Sequence, residues 1–245
     1  MTTRFTDELR ALCIDEWNSV INHKFTAELA KGTISQNVLR KYLIQVRSSR
    51  LVCDRNKMTQ LIHQNAYKPQ DHRFLDSFVV LLSSMVAKAR CLEDRIPGCQ
   101  FLALITGDEN DYFQRSFDSL GCVDTERCQI PNENVTTDFI KLMKDASEGT
   151  LGEMLSVLVV CEWSYLSWGE RVLPITKREA DGATFLTYEW VDLHSGDYFA
   201  SVISYLRGLL DKEKDLIDDD GREKCRIAFH RAVRLEQDFF DMAYT

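Results

Sequence analysis

The sequence predicts an all-α protein, a helical bundle in a single domain. Apolar side chains recur three and four positions apart through most of its 245 residues, which is the spacing of a buried helix face. Only eleven glycines and four prolines interrupt the chain. Alternating apolar runs joined by Asn-Gly or Asp-Gly turns, which are typical of β-hairpins, are missing. A chain of this length can bury one large core, so we expect one domain over residues 1–245.

The predicted helices follow the apolar stripes in chain order. The first covers Phe5–His23, with a stripe of Phe5, Leu9, Leu12, Cys13, Trp17, Val20 and Ile21. The others are Phe25–Lys31 ending at Gly32, Gln36–Gln45 capped by Ser35, Asp71–Arg90, Asp108–Leu120 ending at Gly121, Thr137–Ala146, Leu151–Leu173, Tyr198–Asp211 and Gly221–Tyr244. The stretch Gly98–Gly107 remains ambiguous.

Composition excludes several classes of function. A net charge of −8, without a run of Lys or Arg along a helix face, argues against a nucleic-acid partner. No apolar stretch is long enough to span a bilayer, and the first residues lack an apolar signal core, so we expect a cytoplasmic protein without a membrane partner. The eight cysteines form no C-x-x-C pair and the five histidines are scattered. We therefore expect no metal site and no disulfide framework.

One cysteine lies inside the most apolar run of the chain, VLVVCEWSYLSWGERV at residues 157–172. At helical spacing Cys161 shares a stripe with Leu158, Tyr165 and Trp168. Free cysteine is among the most often buried residue types, so a purely structural thiol is one interpretation. A desolvated thiol next to an acid is also a nucleophile with its acid/base partner. The residues that surround Cys161 in the fold must distinguish the two.

Two carboxylates also belong to predicted apolar stripes. Glu236 is the charged member of the last helix's stripe, whose apolar members are Cys225, Phe229, Ala232, Phe239, Phe240 and Ala243. A buried carboxylate is costly unless it is paired or protonated, so Glu236 is either a satisfied structural group or a functional one. Asp71 shares a helix face with Leu75, Phe78 and Leu82, or is simply an N-cap. Together with Cys161, these groups predict a closed pocket between helices.

A series of motifs resembles the TenA-type thiaminase II proteins. The motifs are Trp17, HKFTAELAKGTIS at 23–35, LRKYLIQ at 39–45, QDHRFL at 70–75, CEWSYLSWGE at 161–170, HSGDYF at 194–199 and LEQDFFDMAY at 235–244. This resemblance implies a haem-oxygenase-like bundle that assembles as a homotetramer and uses no cofactor. It also implies a small-molecule substrate: hydrolysis of 4-amino-5-aminomethyl-2-methylpyrimidine to the 5-hydroxymethyl compound in thiamin salvage, with slower cleavage of thiamin.

The resemblance also assigns roles to individual residues. Cys161 falls on the nucleophile that adds to the pyrimidine ring, and Glu236 on the acid/base that exchanges protons with the ring and the leaving group. Asp71 matches the carboxylate that binds the aminopyrimidine edge, and Tyr165 and Phe239 match aromatic walls. An aminopyrimidine is a poor electrophile until a ring nitrogen is protonated, so nucleophile and acid must face the same ring.

Some positions depart from the family's pattern. Phe74 and His194 stand where tyrosines are usual, and Asp138 or Phe139 occupies the place of a third. The changes remove hydroxyls that would orient the cysteine or the substrate, so a catalytically weak relative that binds a heterocycle as a sensor or partner protein remains an alternative. An oxidase like the related PqqC cofactor-synthesis enzymes is a further alternative, but such an enzyme does not need a Cys/Glu pair.

The resemblance is interrupted by a basic segment at residues 46–70. It holds five Lys or Arg against one Asp, a net charge of +4, and it is poor in helical periodicity. Its removal would leave YLIQDHRFLDSF, with Asp71 directly after Gln45 as in the family. The codons for Gln45-Val46 and Gln70 are compatible with the borders of a short retained intron. The alternative is a genuine exposed loop, since bundles tolerate long insertions at small entropic cost.

Overall fold

The computed structural model describes residues 3–46, 74–123, 127 and 129–245, and all regular secondary structure in these ranges is helical. This confirms the all-α prediction. The α-helices are α1 Phe5–Ala11, α2 Ile14–Ile21, α3 Lys24–Ala30, α4 Gln36–Val46, α5 Phe74–Lys88, α6 Leu92–Leu104, α7 Asn110–Ser119, α8 Asn134–Glu148, α9 Leu151–Val172, α10 Phe185–Leu193, α11 Gly196–Glu213 and α12 Asp219–Met242. A π-helix at Ile105–Glu109 joins α6 to α7, and two short 3₁₀ turns, Leu173–Ile175 and Glu179–Asp181, follow α9.

The prediction of one continuous helix over Phe5–His23 is wrong. The chain bends after α1, so that Leu12 is 67% exposed while Cys13 remains buried. The bend allows α1 to follow α11, where the Thr6 backbone N–H donates to the Asp211 carboxylate at 2.9 Å. Beyond the bend α2 packs against α9 and α12. Apolar periodicity therefore located the stripe correctly but could not locate the bend within it.

Helix α9 is the central element of the bundle. A capping box starts it: the Glu153 backbone N–H donates to Thr150 Oγ1 at 3.3 Å, and the Thr150 N–H donates to Glu153 at 2.9 Å. From residue 154 to residue 161 every side chain is buried. A helix that is apolar on nearly all sides must be surrounded, and α9 packs against α12, α11, α5 and α8. Residues in its middle therefore lie far from bulk solvent.

The ambiguous stretch Gly98–Gly107 is helical, and it passes into the π-helix without a break. Gly98 allows α6 to approach its neighbours closely, because a Cβ there would lie 2.6 Å from Val86 Cγ2 and 3.0 Å from the Tyr205 hydroxyl. A π-helix is wider than an α-helix and is often found at functional sites. Here it turns Glu109 toward the interior cavity described below.

Helix α10, Phe185–Leu193, is not among the helices predicted from the sequence. It is only nine residues long, and short helices give weak periodic patterns. Its buried face presents Trp190 to the core, and its C-terminal end places His194 against α9. This helix supplies one wall of the candidate site.

Helix α12 carries the predicted apolar stripe, and all members of that stripe are buried, including Glu236. Asp218 is its N-cap, accepting a hydrogen bond from the Gly221 backbone N–H at 2.9 Å. Across the described part of the chain, none of the helices is long and apolar enough to cross a membrane.

Candidate active site

The structure brings Cys161 and Glu236 together. Cys161 lies on the face of α9 that packs against α12, and the Glu236 carboxyl of α12 lies beside its thiol. Both residues are buried, with exposed fractions of 3% and 1%. Two residues separated by more than seventy positions thus meet because two amphipathic helices bury their stripes against each other.

Burial decides the protonation of this pair. It raises the pKa of Glu236 from 4.5 to about 8, although the hydrogen bond with Cys161 acts in the opposite direction. Burial also raises the pKa of the Cys161 thiol well above its usual value, and the nearby carboxyls Glu236 and Glu162 raise it further. Glu236 Oε1 has no hydrogen-bond partner among the described residues. At neutral pH the resting pair is therefore a thiol beside a protonated acid.

Aromatic side chains enclose the thiol. Tyr165, one turn after Cys161 on α9, shares a hydroxyl–hydroxyl hydrogen bond of 2.7 Å with Tyr42 of α4. Phe239 lies edge-on to Tyr42, with ring centroids 5.6 Å apart. Tyr165 and Phe239 were predicted as wall residues from the sequence, whereas Tyr42 was not. Tyr42 lies in the middle of the buried stripe of LRKYLIQ. A buried tyrosine needs a hydrogen-bond partner for its hydroxyl, and this requirement is the sequence signal that marks Tyr42 as a residue of interest.

His194 lines the same cavity as a neutral ring. Its Nδ1–H donates to the Trp190 carbonyl at 2.8 Å, and burial lowers its pKa to about 4. Its ring centroid is 4.9 Å from that of Tyr165. This close approach depends on Gly169 of α9, since a Cβ there would lie only 2.1 Å from the His194 carbonyl oxygen.

Two of the positions where the family usually has a tyrosine form an apolar corner. Phe74, the first residue of α5, lies 5.0 Å from Phe139 and 5.7 Å from Phe239, measured between ring centroids. Of the two candidates near the start of α8, Phe139 is buried and faces this corner, whereas Asp138 is exposed. Phenylalanine rings therefore occupy this corner without the hydroxyls that tyrosines would bring.

Asp71 lies outside the described residues, so its predicted role remains a prediction. The segment 46–70 falls almost entirely outside them too, since only Val46 is described.

Two carboxyl side chains that the sequence did not predict as site residues line the cavity. Glu162 directly follows Cys161 and is partly buried, and Glu109 ends the π-helix. The described residues lining the cavity are Tyr42, Val46, Phe74, Leu75, Phe78, Ile105, Glu109, Cys161, Glu162, Tyr165, Trp190, His194 and Phe239. In the described part of the chain, no group of three or more His, Cys, Asp or Glu residues is placed to hold a metal ion. The arrangement offers a thiol nucleophile, a protonated acid and stacking surfaces for a flat ring.

The chain is similar to known proteins over most of its length. Residues 14–48 and 65–245 match the sequence profile of the TENA/THI-4/PQQC family. The chain belongs to this family. The match leaves residues 49–64 uncovered, so the interruption of the TenA-type pattern falls within the basic segment.

Two curated relatives are named aminopyrimidine aminohydrolase. The protein from Halalkalibacterium halodurans is 25% identical over 231 residues, covering 93% of this chain and 90% of the relative. The protein from Bacillus subtilis is 18% identical over 253 residues, covering 98% and 90%. Among solved structures, a TenA homologue from P. horikoshii superposes with a TM-score of 0.76 at 17% identity, covering 99% of both chains. The likeness to that structure supports the predicted haem-oxygenase-like fold.

Proposed function

We propose that this protein is a hydrolase of the thiaminase II type. Its proposed reaction converts 4-amino-5-aminomethyl-2-methylpyrimidine and water to the 5-hydroxymethyl pyrimidine and ammonia. The observation that carries the proposal is the buried contact of Glu236 with Cys161, a residue that lines an aromatic cavity. The activity named for the two curated relatives supports the same reaction class.

The proposed mechanism begins with transfer of the thiol proton. Glu236, in the minor ionised form present near its raised pKa, accepts the proton of Cys161 as the sulfur adds to a carbon of the pyrimidine ring. Protonation of a ring nitrogen makes this addition favourable, and we assign the binding of the aminopyrimidine edge to Asp71. Aromatic walls such as Tyr165 and Phe239 stack on the ring and exclude water from the adduct.

The second half of the mechanism exchanges nitrogen for oxygen. Glu236 returns its proton to the amine on the ring's methylene arm, and the carbon–nitrogen bond breaks as the adduct's electrons form an exocyclic double bond. Water then adds to the methylene carbon while Glu236 accepts a proton from it. Expulsion of the Cys161 sulfur restores the aromatic ring, and the thiolate recovers the proton. The balance is one amine and one water consumed, one alcohol and one ammonia formed.

A second function is favoured by the apolar corner at Phe74 and Phe139. Without tyrosine hydroxyls there and at His194, the cavity would bind the heterocycle but turn it over slowly, as a sensor or partner protein does. The Tyr42–Tyr165 pair keeps two hydroxyls near the thiol and favours catalysis.

The test is ammonia release from the aminomethyl pyrimidine by the purified protein, followed with a coupled assay. We expect turnover by the wild-type protein and none by Cys161→Ala. Tight binding of the pyrimidine without ammonia release would replace the hydrolase with the second function. We also expect a cytoplasmic homotetramer, as in the family, and light scattering coupled to gel filtration measures the assembly directly.

A further inference from the structure

The polar groups that line the cavity differ in whether the protein already satisfies them. The Tyr42 and Tyr165 hydroxyls bond to each other at 2.7 Å, and the Nδ1–H of His194 donates to a backbone carbonyl at 2.8 Å. Glu162 lines the same cavity, directly after Cys161 in the sequence, and makes no hydrogen bond or ion pair with any described residue. A polar group buried without a protein partner is costly unless a ligand pairs with it.

Glu162 presents a neutral carboxyl group to this space. Burial is the main cause that raises its pKa well above that of an ordinary glutamate, and the neighbouring carboxyls of Glu109 and Glu236 act in the same direction. At neutral pH the side chain therefore has an O–H donor and a carbonyl acceptor rather than a charge. The rings of the apolar corner, by contrast, have no hydrogen-bond donor. Glu162 is thus a proton donor that a bound ring can use.

The proposed reaction needs a donor of this kind. The pyrimidine's ring carbon without a substituent is the least hindered position for the sulfur. Addition there moves the electrons of the adjacent carbon–nitrogen double bond onto the ring nitrogen opposite the amino group, and that nitrogen must take up a proton. Glu236 accepts the thiol proton in the same step and later passes it to the departing amine, so the proton for the ring must come from another group.

We propose that Glu162 donates its carboxyl proton to the ring nitrogen opposite the amino group as the Cys161 sulfur adds to the adjacent carbon. This inference rests on the proposed function, because it adds a catalytic residue to the same reaction. Neighbouring positions on α9 point the two side chains about 100° apart around the helix axis, so that thiol and acid can reach different atoms of one ring. Glu162 becomes a carboxylate for the lifetime of the adduct. When the sulfur leaves, the carbon–nitrogen double bond forms again and the proton returns to Glu162, which balances the transfer within one turnover.

The first experiment compares two ligands that differ at one ring atom. They are 4-amino-5-hydroxymethyl-2-methylpyrimidine and its pyridine analogue, in which CH replaces the nitrogen opposite the amino group. Calorimetry at pH 7 measures their binding to wild type, to Glu162→Gln, whose amide is still a donor, and to Glu162→Met, which has no donor. We expect the pyridine to bind about tenfold more weakly than the pyrimidine in wild type and Glu162→Gln, the scale of one lost hydrogen bond, and both ligands to bind equally in Glu162→Met. The same preference for the pyrimidine in Glu162→Met, or no preference in wild type, overturns the inference.

The second experiment follows the proton through turnover. An amide cannot donate its proton to the ring, so Glu162→Gln should lower kcat for ammonia release about 100-fold or more with little change in KM, whereas Glu162→Met should also raise KM. The matched controls Glu170→Gln and Glu170→Met lie on the exposed side of α9 and should change neither constant. An unchanged kcat in Glu162→Gln overturns the inference, even where Glu162→Met fails to fold. A preference for the pyrimidine that disappears in Glu162→Met, combined with no ammonia release by the wild-type protein, supports the contact of Glu162 with the ring nitrogen and overturns the proposed function instead.

Discussion

Replacing Glu236 with glutamine removes a carboxyl group that the fold holds protonated. Its pKa is about 8 in the folded protein against 4.5 for an ordinary glutamate, because the side chain is buried. Between these two values the unfolded chain ionises the group while the folded protein does not. The stability that depends on it is therefore fully present below pH 4.5 and is lost as the pH rises through about 8.

The size of this effect follows from the two pKa values. Their difference corresponds to about 5 kcal/mol of unfolding free energy between pH 4.5 and pH 8, an upper value because neighbouring carboxyls titrate with it. Glutamine has the same shape and no charge. We expect the Glu236→Gln protein to lack this loss, so that it gains stability relative to wild type as the pH rises from 5 to 9. Its turnover should fall about 100-fold or more.

The assay is urea unfolding followed by circular dichroism at a series of pH values for both proteins. The free energies of unfolding should diverge between about pH 4.5 and pH 8 and differ by a constant amount above that range. Glu170→Gln, an exposed change on α9, should follow the wild-type curve. Parallel curves for wild type and Glu236→Gln would show that the carboxyl is not held protonated. An unchanged pH–rate profile in the glutamine variant would remove Glu236 from the mechanism.

Three further outcomes are expected. Cys161→Ala should fold normally and lose nearly all hydrolysis while Cys161→Ser keeps a trace; a near wild-type rate in the alanine variant would refute the nucleophile. Tyr42→Phe and Tyr165→Phe should each cost about 1 kcal/mol of stability, and the double variant about the same as either alone because both remove one hydrogen bond; additive losses measured by urea unfolding would contradict this. A protein lacking residues 46–70 should be at least as stable and active as the full chain, and failure of this protein to fold, or transcripts that always retain the stretch, would show that the segment belongs.

The sequence predicted most of the helical framework because apolar periodicity reports directly on which face is buried. The stripe containing Glu236 is an example, since all its members are buried, as their spacing required. The bend at Leu12 could not be predicted, because the apolar periodicity continues across it and the contacts that α1 makes with α11 and α12 are distant in sequence. The short helix α10 escaped for a related reason, since it has too few turns for a periodic pattern.

Whether a residue of the candidate site could be predicted depended on its position relative to the apolar stripes. Cys161 and Glu236 were conspicuous as polar groups within apolar stripes, and their proximity follows from the packing of two stripes. Glu109 and Glu162 lie beside stripes rather than in them, so in sequence they look like ordinary solvent-facing glutamates. The two carboxyls line one cavity because the π-helix directs Glu109 to the space that Glu162 also lines.

The wide turn at Ile105–Glu109 holds one residue more than a regular α-helical turn of about the same rotation. Deleting one residue there would allow a regular α-helix, and because the π-turn takes up its extra residue locally, the helices on either side would keep their directions. Phe101 and Phe113 would then both stay in the core. Glu109, by contrast, would lose the turn that directs it to the cavity. The extra residue in this turn thus serves the site rather than the packing of the core.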